Sequence, residues 1–141
     1  MANSNNLLNV NSLVVDYPGY MDSGTKAVRN VSLTIGKGEV LGLVGESGAG
    51  KTSIARAITR QLVDPGEIIS GQIIFEGEDL VKLKSKGLRT YLGSKISLIV
   101  PNPKSELDPL LTIGSQLSDT VRTHVKMGRK EAELKVIEIL R

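Results

Sequence analysis

Cysteine is absent from the 141 residues, which excludes a disulfide framework and any zinc or redox site built on thiolates. A reducing, cytosolic setting is compatible with that absence. Tryptophan is missing too, and the rings amount to three tyrosines and one phenylalanine. So few rings give poor support to a base-stacking platform for single-stranded nucleic acid. No run approaches the ~18 apolar residues needed to cross a bilayer. The start, MANSNNLLNV, lacks the basic residues and the apolar core of a signal peptide. These shortages describe a soluble chain that does not span a membrane by itself.

What is present is enough apolar material, 40% of residues, to bury a core the size of one domain or a piece of one. The net charge is +3, but its distribution is more informative than its total. Between Leu80 and Ser105 stand six basic residues (Lys82, Lys84, Lys86, Arg89, Lys95, Lys104) and no acidic one. Such a segment can serve phosphates, nucleic acid or an anionic membrane surface, and it is most simply a solvated face.

The first half reads as short strands divided by glycine turns. LLNVNSLVVDY is one strand; in VSLTI, Val31, Leu33 and Ile35 alternate with Ser32 and Thr34, the period of a half-buried strand. After a GKGE turn, VLGLVG is a nearly continuous apolar run, the signature of a strand buried on both faces by helices. Beyond Lys51 the period becomes helical through Ile54, Ala55, Ile58 and Leu62, and DPG at 64–66 is expected to stop that helix. GQIIFEG is a further strand, KISLIV at 95–100 a second buried one, and KSKGLRTYLG between them a short helix. Thr112 is placed to cap a helix in which Ile113, Leu117, Thr120, Val121, His124 and Val125 share a face. A last helix carries an apolar stripe of Ala132, Val136, Ile137 and Leu140. It reaches Arg141 without a C-cap, so the expectation is that this element continues in a longer protein.

Between the apolar run and the first helix lies GESGAGKTS: Gly45, Glu46, Ser47, Gly48, Ala49, Gly50, Lys51, Thr52 and Ser53. Gly45 to Thr52 matches G-x-x-x-x-G-K-[ST], a phosphate-binding loop, in the strand-to-helix context that motif requires. Glycines let the backbone curl into a nest whose N–H groups approach phosphate oxygens, and the helix start adds unpaired donors and a positive dipole end. Lys51 would reach the β and γ phosphates, and the Thr52 hydroxyl would complete a Mg2+ site made otherwise of water and phosphate. Chance would produce the four fixed positions on the order of once in a hundred chains of this length. The bland alternative is a glycine-rich turn with no ligand.

AVRNVSLTIGKGEVLGLVGESGAGKTS, SGQIIFEGEDL, LRTYLGSKISLI and LDPLLTIGSQL occur in an order and at distances that resemble the ATP-binding subunits of ABC transporters. The likeness runs from about Leu8 to Arg141 and is strongest to the oligopeptide and dipeptide importers. It implies an α/β P-loop NTPase fold: 1–111 would hold an antiparallel β-subdomain and part of a parallel-sheet core, and 112–141 the beginning of an α-helical subdomain. It implies ATP and Mg2+ as ligands and places Tyr17, or failing that Tyr20, where the family keeps a ring that stacks on adenine. Unaided by the family, a tyrosine ending an edge strand is more often packing.

Two departures from the family stand out. Pro101 occupies the place of a glutamine that in the family contacts the magnesium and attacking-water region and senses the membrane subunits; proline offers no amide and no N–H. Further, no apolar run ends in Asp-Glu, and no Leu-Ser-Gly-Gly-Gln signature occurs, so no catalytic residue is assigned. His124 comes too early to be the family's switch histidine. The resemblance implies a subunit at the cytoplasmic face of the membrane, partnered by permease subunits and a second ATP-binding subunit, identical or different. It would drive import of oligopeptides, dipeptides or a similar small solute. The competing expectation is a non-transporting ABC-like regulatory module that binds nucleotide. A nucleic-acid partner would rest on charge alone and is not expected.

Overall fold

A computed structural model describes residues 6–19, 25–102 and 107–141. The chain divides into two compact units, one ending at Leu92 and the other beginning at Gly93.

The first unit is built on one antiparallel sheet. Strands β1 (Asn6–Tyr17), β2 (Thr25–Gly36), β3 (Glu67–Phe75) and β4 (Glu78–Asp79) lie in the order β2-β1-β3-β4. The long first strand shows why the sheet bends. Leu8 and Val10 are buried at even positions, whereas Leu13 and Val15 are buried at odd ones. A flat strand keeps one parity on one face, so one extra residue must be absorbed between them. The register with β2 shifts between Val10 and Leu13. There Ser12 adopts a left-handed φ of 48°, and its N–H donates to Ser32 Oγ at 2.9 Å. Across the same point on β3, Gly71 has φ 103°, and a Cβ on it would come within 2.7 Å of the Leu13 Cα and the Ser12 carbonyl oxygen. The bulge therefore needs glycine opposite it. Val10, Leu13, Val15, Val28, Ile73 and Leu80 are almost wholly shielded from solvent and form the core. On β2 the expected alternation holds, with Val31, Leu33 and Ile35 half-buried and Ser32 and Thr34 exposed.

Helix α1 (Lys51–Ile58) buries Ile54 and Ala57. It stops a turn short of the DPG expected to end it. Thr59 is its C-cap; the Arg60 N–H donates to the Ala57 carbonyl at 3.0 Å and the Gln61 N–H to the Arg56 carbonyl at 2.8 Å. These two bonds, with Arg60 at φ 52°, make a Schellman ending, a place usually given to glycine. The arginine is held there by its guanidinium, whose Nη1 donates to the carbonyls of Leu80 at 3.1 Å and Leu83 at 2.5 Å. Helix α2 (Ser85–Leu88) is the short one expected near 84–93.

No parallel strand pairing forms among the described residues, so the antiparallel part of the expected fold is what the structure displays. Neither 40–45 nor 95–100 forms a strand, and Val40 and Val44 are 95% and 92% exposed, Ile99 89%. A parallel strand needs hydrogen-bonding neighbours reached by crossovers and helices over both faces. Every strand pairing that the described residues make is antiparallel and lies within the one sheet.

In the second unit, α3 (Ile113–His124) packs on α4 (Arg129–Ile139). Thr112 caps α3 as expected, its side chain accepting from the Ser115 N–H at 3.2 Å. The buried faces differ from the expected stripes. Ser118 is buried on α3, where Leu117 and Val121 are only half-buried, and Ala132 and Val136 on α4, while Ile113, Ile137 and Leu140 stay exposed. Small residues at the contact let two helices approach closely, and larger apolar ones are then left on the outer faces. Ahead of α3, Gln116 holds the Asp108–Leu111 turn: its Oε1 accepts from the Asp108 N–H at 3.0 Å, and its Nε2 donates to the carbonyls of Asp108 and Leu111, both at 3.1 Å.

Candidate functional site

The glycine-rich loop Gly45–Gly50 runs directly into α1, and Gly50, at φ 87°, is the residue where the turn gives way to helix. That turn is pressed against β2. A Cβ on Gly50 would collide with the Ala27 carbonyl oxygen and lie 3.2 Å from its carbon. Gly48 is also left-handed, at φ 82°, but faces open space. One glycine therefore serves packing as well as conformation, the other conformation only.

The start of α1 has no side-chain cap and no acidic residue in its first turn. Its leading N–H groups are left without intrahelical partners, and the positive end of the helix dipole is not offset locally. The Lys51 ammonium donates to the carbonyls of Gly45 at 2.8 Å and Glu46 at 2.6 Å. It thereby fastens the first residues of the loop to the helix. An ammonium has three donors, so one remains for an anion. The Ala49 N–H is directed to the Glu46 carbonyl at 3.2 Å. Thr52 is exposed, with its hydroxyl in the first turn, and Ser53 is half-buried beside it. The donor set of uncapped amides, a primary ammonium and a hydroxyl suits a phosphate chain with its counter-cation.

An open depression of about 410 Å³ lies between the loop and β2, lined by Lys26, Ala27, Val28 and Arg29 on one side and Gly48 and Ala49 on the other. Lys26 and Arg29 add positive charge at its rim. The sequence reading missed these β2 residues, and no motif marks them; they line the depression because the turn at Gly50 is pressed against Ala27 on β2.

Tyr17, at the end of β1, is brought to the same place. Its hydroxyl lies 3.4 Å from Ser53 Oγ, and its N–H is tied to Asp16 Oδ1 at 2.9 Å. Tyr20 lies outside the described residues. Pro101 and Asn102 are exposed and belong to the second unit; Pro103 lies outside the described residues. His124 is exposed at the end of α3, its ring against Gly93. Among the described residues no group of three or more His, Cys, Asp or Glu side chains is placed to hold a metal ion. No helix among them is long and apolar enough to cross a membrane.

Comparison with known proteins adds to this geometry. The family described as ABC transporter matches residues 28–140. The probable D,D-dipeptide transport ATP-binding protein DdpD of Escherichia coli K12 is 38% identical over 135 residues, covering 95% of this chain and 41% of the relative. The oligopeptide transport ATP-binding protein OppD of Bacillus subtilis 168 is 34% identical over 135 residues, covering 95% of this chain and 37% of the relative. AmiE of Streptococcus pneumoniae serotype 4, also an oligopeptide transport ATP-binding protein, is 38% identical over 137 residues, covering 96% and 38%. The chain thus spans about two-fifths of the length of the curated relatives it matches. Uncapped helix, glycine loop, ammonium and family match agree, and the chain belongs to the ABC transporter family, among relatives named as ATP-binding proteins of peptide transport.

Proposed function

We propose that this chain binds ATP with Mg2+ at Gly45–Ser53 as part of the ATP-binding subunit of an importer for oligopeptides, dipeptides or a similar small solute. The observation that carries the reading is the uncapped start of α1 joined to a lysine that keeps one donor in hand. The backbone amides of Gly48 to Thr52 hold phosphate oxygens, the Lys51 ammonium contributes charge at the β and γ positions, and Thr52 supplies a hydroxyl ligand to the metal. The Thr52 hydroxyl and the phosphates would hold the magnesium ion, which would supply positive charge against the phosphate oxygens. Tyr17 offers its ring to adenine, with the hydroxyl beside Ser53 fixing its distance from the loop.

The relatives' names favour a transporter subunit over a non-transporting module. In that subunit, 40–45 and 95–100 enter a parallel sheet, which gives their exposed apolar side chains a buried place. The helical subdomain begins near Thr112, and the segment after Val100 faces permease subunits at the cytoplasmic side of the membrane. A second ATP-binding subunit, identical or different, completes the assembly.

Lys51→Ala in the full-length protein tests the reading. A charge-assisted hydrogen bond is worth about 1.5–3 kcal/mol, so ATP affinity in an equilibrium titration falls by about ten- to a hundredfold. Unchanged affinity would exclude the loop as the phosphate site.

A further inference from the structure

We infer that Gly66 is a positioning residue for Tyr17, setting where the ring stands for the base of a bound nucleotide. The inference rests on the assignment of Tyr17 to adenine and extends it to a residue that no motif marks.

Strand pairing supplies the first part of the argument. Asp16 pairs with Glu67 in the antiparallel ladder of β1 and β3. Gly66 and Tyr17 lie just beyond that last pair, beside one another. A ring opposite glycine can lie down over the bare backbone, which a side chain at that position would prevent.

Distances supply the second. A Cβ on Gly66 would stand 2.5 Å from Tyr17 Cε1 and 2.9 Å from its Cζ. Gly66 does not have the positive φ of Gly48 or Gly50, so alanine suits its backbone and only space forbids it. The same Cβ would approach the Val63 carbonyl oxygen to 2.8 Å, in a turn closed by the Gly66 N–H donating to that oxygen at 2.7 Å. The turn fixes Gly66, and Gly66 in turn fixes the side of the ring away from which Tyr17 cannot retreat. With its hydroxyl at Ser53 on α1, the ring is held between the start of β3 and the phosphate-loop helix. Phosphate site and ring are thus kept at a set spacing by two contacts.

The test is a double-variant cycle in the full-length protein, read with ATP and with inorganic tripolyphosphate, which has no base. Tyr17→Ala should weaken ATP by about tenfold, the scale of base–aromatic stacking, and leave tripolyphosphate unchanged. Gly66→Ala should do the same in the natural background and nothing more when Tyr17 is already alanine. If Gly66→Ala unfolds the natural protein but not the Tyr17→Ala protein, the ring contact is confirmed. If Gly66→Ala weakens ATP equally in both backgrounds, weakens tripolyphosphate as well, or unfolds both, Gly66 is only a turn residue and the inference is overturned. If Tyr17→Ala leaves ATP affinity unchanged, the adenine assignment itself is lost.

Discussion

Gly48 and Gly50 have nearly the same left-handed backbone, φ 82° and φ 87°, in one loop, yet alanine at the two positions should have different costs. At Gly48 the new methyl meets nothing within 4 Å, so only the conformational term applies, about 1–2 kcal/mol for a left-handed L-residue. At Gly50 the methyl collides with the Ala27 carbonyl oxygen and stands 3.2 Å from its carbon and 3.7 Å from Val28 Cγ2. The obstacle is strand backbone, bonded into the sheet, so it cannot swing aside as a flexible side chain would. Overpacking adds about 1–3 kcal/mol, for a total of about 2–5 kcal/mol against a typical domain stability of about 5–15 kcal/mol. Urea unfolding followed by circular dichroism reads the difference directly. With slopes of about 1–3 kcal/mol per molar, Gly50→Ala should lower the midpoint about twice as far as Gly48→Ala. Equal shifts would mean that the loop does not seat on β2 as described, and the placement of α1 beside the 410 Å³ depression would go with it.

Two further outcomes are expected. Thr112→Ala removes the acceptor for the Ser115 N–H and should destabilise α3 by about 1 kcal/mol, read as a lower unfolding midpoint, whereas Thr112→Ser should restore most of the loss; no difference between the two would refute the cap. The 141 residues by themselves should release no phosphate from ATP above background in the presence of Mg2+, because in-line attack needs a group to position water and no Asp-Glu pair follows an apolar run. Release that depends on Mg2+ and disappears in Lys51→Ala would refute that argument.

How much was legible in the sequence depended on how local each element's partners are. The later parts of β2 and β3 alternate in burial and meet their partners within the described chain, so their period could be read directly. The glycine loop was legible for a related reason: the glycines and the helix start that expose its backbone amides lie within nine residues. The bulge at Ser12 shows in the sequence only as a change of parity, from Leu8 and Val10 to Leu13 and Val15, and identifying it needs the burial of all four.

Other elements depend on distant partners. VLGLVG and KISLIV carry the composition of buried parallel strands, but composition states what a segment can tolerate, and burial requires neighbours on both edges and both faces. Among the described residues those neighbours are absent, so Val44 and Ile99 stand in solvent. α1 ended early for the converse reason. Nothing near Arg60 in sequence announces a helix end, since the usual sign is glycine; the ending is held by Leu80 and Leu83, more than twenty residues away in the case of Leu83. Gly66 belongs with these. In sequence it is the last residue of a DPG turn, and only the fold, at the end of the β1–β3 ladder, makes it a neighbour of Tyr17. Where a residue's role is set by its own φ or its own side-chain chemistry, as at Gly48 or Lys51, the sequence displays it. Where the role is to leave room for a residue elsewhere in the chain, as at Gly66 or Gly71, only the folded register does.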